Sequence, residues 1–180
     1  MKLNVPEVSD VPGQYSNQYS YEKIFVPINS LQRKLVLLSL LIATFVLSFL
    51  VVPFSDLRFH FFQAGIFMAG FVFGPLAGLF VGGLSSAYNG LFVINNPWII
   101  FGNGILGFFA AYFYRTMNPT KAVLLAYAIQ LPYLLITDIL FVHMPVMVVA
   151  SIAGVLLIEN ILCALFVGRF APGLKTALVG

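Results

Sequence analysis

The sequence predicts an all-α integral membrane protein of six transmembrane helices, with both termini cytoplasmic. Three observations carry this. First, 61% of the 180 residues are hydrophobic and only 8% are charged. A soluble domain carries about 25% charged residues, so this chain cannot cover a water-facing surface. A soluble enzyme and a nucleic-acid binder are thereby excluded. Second, the apolar residues gather into runs near the length of about 20 residues that crosses about 30 Å of hydrocarbon. Third, the basic residues segregate by loop parity, as they do in membrane proteins whose Lys and Arg stay on the cytoplasmic side.

The first 30 residues are polar, rich in Tyr, Ser, Asn and Pro, and lack the early apolar core of a signal peptide. They read as a cytoplasmic tail, 1–32. The membrane domain follows over 33–170, and a second cytoplasmic tail over 171–180. The first helix is expected at 35–52. The stretch 61–92 is harder. As one helix its 32 residues would run about 48 Å, too long without strong tilt. Gly74-Pro75 falls near its middle, where Pro breaks or kinks a helix. Two spans are therefore expected, about 58–73 and 75–93, joined by a very tight turn. Three more follow at 98–114, 122–142 and 146–168. With six spans, Lys2, Lys23, Arg33, Lys34, Arg115, Lys121, Arg169 and Lys175 share one side. That is eight of the nine basic residues, leaving only Arg58 opposite. Five spans would abolish this segregation.

Helices in lipid associate through close packing, which small residues four apart permit. The first helix carries two such pairs, Ser39 with Ala43 and Thr44 with Ser48. They lie about 140° apart on the helix, so they form two faces rather than one stripe. Either both pack internally, or Ser39 and Ala43 dock another membrane protein while the other pair packs inward. In the third helix Gly78, Gly82, Ser85 and Asn89 share about 60° of arc. Helix packing explains the glycines more readily than the polar end.

Polar residues collect on the half of the bundle opposite the basic residues. Asp56, Arg58, His60 and Gln63 lie at the first outer loop and the start of the second helix. Asn95, Asn96 and Trp98 mark the second outer loop, where the asparagines suit a cap or a turn before Pro97. Trp98 also suits an interfacial anchor. Asn89, Asn103, Gln130, Tyr133 and Thr137 extend inward, and Asp138 lies within an apolar run. Glu159 falls near the middle of the last helix. A charge exposed to lipid there costs about 2.5 kcal/mol or more, so Glu159 faces inward. It either contacts a ligand or hydrogen-bonds Asn103 or a tyrosine. The expected pocket lies on the extracellular half, between the third to sixth helices, roofed by the loop 53–62.

Catalytic signatures are missing. There is no P-loop, HExxH or GxSxG motif. The single Cys163 and the two scattered histidines give neither a disulfide framework nor a metal site. The expectation is a protein that is not an enzyme and carries no cofactor or metal.

Three segments resemble the substrate-binding S components of energy-coupling factor (ECF) transporters. FGPLAGLFVGGLSSAYNGL at 73–91 is similar to that family's short second helix ending in Gly-Pro, followed by a glycine-bearing third helix with a polar end. NPWIIFGNGILGFFAAYFYR at 96–115 looks like its fourth helix, and Glu159-Asn160 like a pair in its last. The likeness covers roughly 33–170. It implies a plasma-membrane, multi-pass subunit that captures a vitamin or similar micronutrient from outside. Delivery would then run through a T component driven by two ATPases, and nucleic acid has no part in it. The small-residue pair of the family's first helix is usually two alanines facing the T component; Ser39 and Ala43 are the nearest match. The chain lacks the His-bearing N-terminus of the nickel and cobalt members, which argues against a metal substrate. The substrate-binding residues expected on the whole reading are Asn89, Asn103, Gln130, Tyr133, Asp138, Glu159, Trp98 and His60. Two other classes stay open: a structural membrane protein of the rod-shape-determining type, and a solitary small-solute carrier.

Overall fold

The computed structural model describes residues 31–54 and 57–179. The tail at 1–30 and Asp56 lie outside the described residues. The described chain is helical apart from one hairpin. Its elements are α1 (Leu31–Leu47), β1 (Val51–Phe54), β2 (Leu57–His60), α2 (Gln63–Phe73), α3 (Pro75–Tyr88), α4 (Trp98–Phe113), α5 (Pro119–Ile136) and α6 (Val146–Val179). By length and composition, Pro75–Val93, Pro119–Phe141 and Val146–Leu178 are long and apolar enough to cross a membrane. Gln63–Phe73 and Trp98–Phe113 are shorter apolar helices.

The break between the second and third helices falls where the sequence places it. Gly74 has φ 100° and ψ 177°, a left-handed conformation that a side chain disfavours. Its N–H closes α2 on the Gly70 carbonyl at 2.8 Å, and Pro75, which has no N–H to satisfy, opens α3. At the start of α5, the Asn118 side chain accepts the Lys121 N–H at 2.9 Å ahead of Pro119.

Three boundaries differ from expectation. The helix expected at 58–73 begins only at Gln63, because 57–60 pairs as β2 with β1 in antiparallel register, Val51 opposite His60. β1 also takes the last residues expected in the first helix, which ends at Leu47. Pro53 within β1 cannot continue a helix but is tolerated in an edge strand. At the other end no separate tail is seen over 171–179, because α6 runs unbroken to Val179. A helix leaving hydrocarbon keeps its own hydrogen bonds and need not stop there.

α3 and α5 end alike. Each widens into a π-helical segment, Asn89–Val93 and Thr137–Phe141. Each then passes through a left-handed residue, Asn95 (φ 56°) or His143 (φ 59°). The N–H of Ile94 bonds the Asn89 carbonyl and that of Val142 the Thr137 carbonyl, at 2.8 and 3.0 Å. The N–H of Asn96 reaches Gly90 and that of Met144 reaches Asp138, at 2.7 and 2.9 Å. Pro97 and Pro145 then lead into α4 and α6. These bonds satisfy helix-end carbonyls that would otherwise be left bare.

Packing sets the two ends of the bundle apart. α3 and α4 touch backbone to backbone at Gly78 and Gly107, where a methyl group on either would strike the other's carbonyl. α2 is buried along nearly its whole length. Ile66 and Phe67 pack with Leu106, Val123, Ala164 and Val167 to form the apolar core. On α1, Thr44 and Ser48 turn inward, Thr44 against Gly65, while Ser39 and Ala43 lie on the exposed face. Large apolar side chains such as Leu38, Ile42, Phe166 and Phe170 point outward, as a lipid-facing surface requires.

Candidate functional site

Beside the hairpin, the bundle encloses a cavity of about 570 Å³. Its wall comes from the β2–α2 junction, the polar ends of α3 and α5, the outer half of α4 and the first half of α6. All eight residues singled out from the sequence line it: His60, Asn89, Trp98, Asn103, Gln130, Tyr133, Asp138 and Glu159. From the hairpin, His60 lines the cavity.

Most of these side chains are held by the protein itself. Asn89 donates to the Ser48 carbonyl at 2.8 Å, which ties α3 to α1. Tyr133 donates its hydroxyl to the Trp98 carbonyl at 3.1 Å, which ties α5 to the start of α4. The Tyr133 ring lies beside Gly102, where an added methyl group would make ordinary contact with it at 3.4 Å. The Trp98 ring lies 5.1 Å from that of Phe141, tilted by 35°. Trp98 lines the cavity while the exposed Phe141 does not, so the aromatic part of the wall is Phe62, Trp98 and Tyr133.

Asp138 is buried and accepts the Asn96 side-chain N–H at 2.7 Å. The Asn96 side-chain oxygen accepts the Trp98 N–H at 3.2 Å. Asn96 therefore does more than turn the chain. It caps α4 and braces the end of α5. Sequence reasoning reached a cap or turn here but missed the bond to Asp138, because the two residues stand 42 apart. The only hint is polarity next to an apolar run.

Glu159 corrects one expectation. It does not bond Asn103 or a tyrosine. Its carboxylate accepts the His60 backbone N–H at 2.6 Å and the Gln63 side-chain N–H at 3.2 Å. Donors from the chain thus offset the cost of burying this carboxylate.

Gln130, like Gln63, keeps an unsatisfied amide oxygen. It is 4% exposed, it lines the cavity, and its Oε1 has no hydrogen-bond partner among the described residues. Such an acceptor costs about 1–3 kcal/mol unless something donates to it. Of the other cavity residues, Ser86 and Thr137 return their hydroxyls to their own helices at 2.6 and 2.9 Å. The remaining wall is largely apolar, from Ile99 and Leu134 to Met147 and Val155. Among the residues whose side chains are described, no Lys or Arg lines it. Among the described residues, no three of His, Cys, Asp and Glu come together as metal ligands. The arrangement suits a flat, mostly apolar molecule with a few polar edge groups.

No curated protein sequence matches the chain. A solved structure of the S component of a bacterial ECF transporter is similar at 24% identity and a TM-score of 0.49. It covers 82% of this chain and 95% of that one. The family model described as the ECF-type riboflavin transporter, S component, matches residues 29–179. The helices, the break at Gly74-Pro75 and the cavity all fall within that match, and the chain belongs to the family of ECF-type riboflavin transporter S components.

Proposed function

We propose that this protein captures riboflavin in the outer cavity and hands it to a T component driven by two ATPases. The observation that carries the reading is the cavity itself, with its aromatic wall, its buried amides and its unsatisfied Gln130 oxygen. Riboflavin has a flat three-ring system whose imide edge offers one N–H donor between two carbonyls. The rings suit the Trp98 face, and the imide N–H suits Gln130 Oε1. The family's description supports this choice of vitamin.

The same reading gives six membrane crossings with both ends cytoplasmic, in the plasma membrane. The basic residues support it, and the cavity then opens outside the cell. α2, with 11 residues, rises only about 16 Å. The hairpin continues its path, and α2 itself is buried among the other helices. The chain has no P-loop, so energy for import comes from its partners. The exposed pair Ser39 and Ala43 is the proposed contact with the T component.

The test is to purify the full chain and identify small molecules it retains, then to titrate riboflavin against the fluorescence of Trp98, the one tryptophan in the sequence. Retained flavin and saturable quenching are expected. Absence of both sinks the assignment of the vitamin. Co-purification of a T component and ATPases tests the partners separately.

A further inference from the structure

Glu159 is 1% exposed and sits midway along α6. Both its oxygens are engaged by the segment where β2 passes into α2. Oε1 accepts from the His60 backbone, 99 residues away in sequence, and Oε2 from Gln63, 96 residues away. Charge-assisted bonds of this kind are roughly twice as strong as neutral ones. Gln63 is itself buried, and its own Oε1 has no partner among the described residues. The Glu159 carboxylate is therefore what orients the Gln63 amide. Between the two donors lie Phe61 and Phe62; Phe62 is buried and lines the cavity. One turn along α6, Cys163 is 2% exposed, with its sulfur 4.0 Å from the Phe61 carbonyl.

We infer that Glu159 is a positioning residue. It fastens the β2–α2 junction onto α6 and so builds the wall that His60 and Phe62 give the cavity, without itself bonding the captured molecule. A carboxylate whose two oxygens already hold donors from the chain is a strut before it is a ligand contact. The inference concerns the same cavity and, for its binding arm alone, rests on the riboflavin reading.

Glu159→Gln and Glu159→Ala separate the roles. The glutamine keeps an oxygen for the His60 N–H, and its new amide can donate to Gln63 Oε1 once the Gln63 amide turns over. The strut survives without its charge. Alanine removes it. Cys163, the one cysteine in the chain, reports on the junction without any ligand. The full-length protein in detergent is treated with a small methanethiosulfonate, and riboflavin is titrated in parallel.

The expected result is that Glu159→Ala speeds Cys163 labelling about tenfold or more and weakens riboflavin binding by a similar factor, as loss of more than one buried hydrogen bond implies. Glu159→Gln behaves like the wild type in both. If Glu159→Ala does not fold, Gln63→Ala takes its place, removing one donor; faster labelling is again expected. Wild-type labelling in the alanine variant overturns the inference. So does a Glu159→Gln protein that loses riboflavin while Cys163 stays protected, because that marks direct contact with the ligand. If no protein binds riboflavin, the wild type included, but labelling follows the expected order, the vitamin is wrong and the strut stands.

Discussion

At the scale of single residues, the cavity wall holds side chains bonded within the protein and, at Gln63 and at Gln130, an amide oxygen with no partner among the described residues. Gln130→Ala removes one of these acceptors. Riboflavin affinity is expected to fall about tenfold, since about 1.4 kcal/mol is a factor of ten. Lys121→Ala, in the first turn of α5 and outside the cavity wall, should leave affinity unchanged in the same titration. Asn96→Ala has a different signature. It leaves the buried Asp138 without its side-chain donor and should lower stability by about 1–3 kcal/mol, read as an earlier thermal transition. Why were the eight cavity residues legible in the sequence? Each is a polar or amphipathic group in or beside an apolar run, where burial without a purpose is costly. Their partners were not legible. Hydrogen bonds such as Glu159 to His60 and Asn96 to Asp138 join residues far apart, and no local pattern records them.

Among elements, the closest contact is the glycine crossing of α3 and α4. Gly78→Leu would force an isobutyl group into the Gly107 backbone. The helices would have to separate, and the polar end of α3 would move away from Asn103. Loss of folded protein is expected in size-exclusion profiles, whereas Gly154→Ala on α6, where an added methyl group meets no neighbouring atom, should be tolerated. The Gly74-Pro75 break was readable because both residues impose local backbone rules. The hairpin was not, because VVPF continues the apolar run of α1 and hydropathy does not distinguish the two. The continuation of α6 was hidden for a related reason. Arg169 and Lys175 mark the edge of an apolar stretch, but a helix does not end where its surroundings change from lipid to water.

For the whole molecule, topology and partnership are the open questions that experiment can reach. With cysteines introduced at Val93 and Met117, both exposed, an impermeant thiol reagent should label position 93 from outside intact cells and spare 117. Labelling of 117 would reverse the orientation. Ala43→Leu on the exposed face of α1 should reduce assembly with the T component in pull-down, leaving riboflavin binding by the isolated chain intact. Equal loss of both would place Ala43 in the protein's own packing.

The matched ends of α3 and α5, joined by Asn96 and Asp138, also bear on the order in which the protein takes shape during synthesis. The core around Ile66, Phe67 and Leu106 draws on α2 and α4, which leave the ribosome early. Asn96 finds its acceptor only after 42 further residues have been made. Glu159 comes later still, and the His60 N–H must wait for it. Ala164 and Val167 of the core also come from α6, so core and cavity alike are completed last, by residues from the final third of the sequence. A chain released before α6 would lack both that part of the core and the Glu159 side of the cavity.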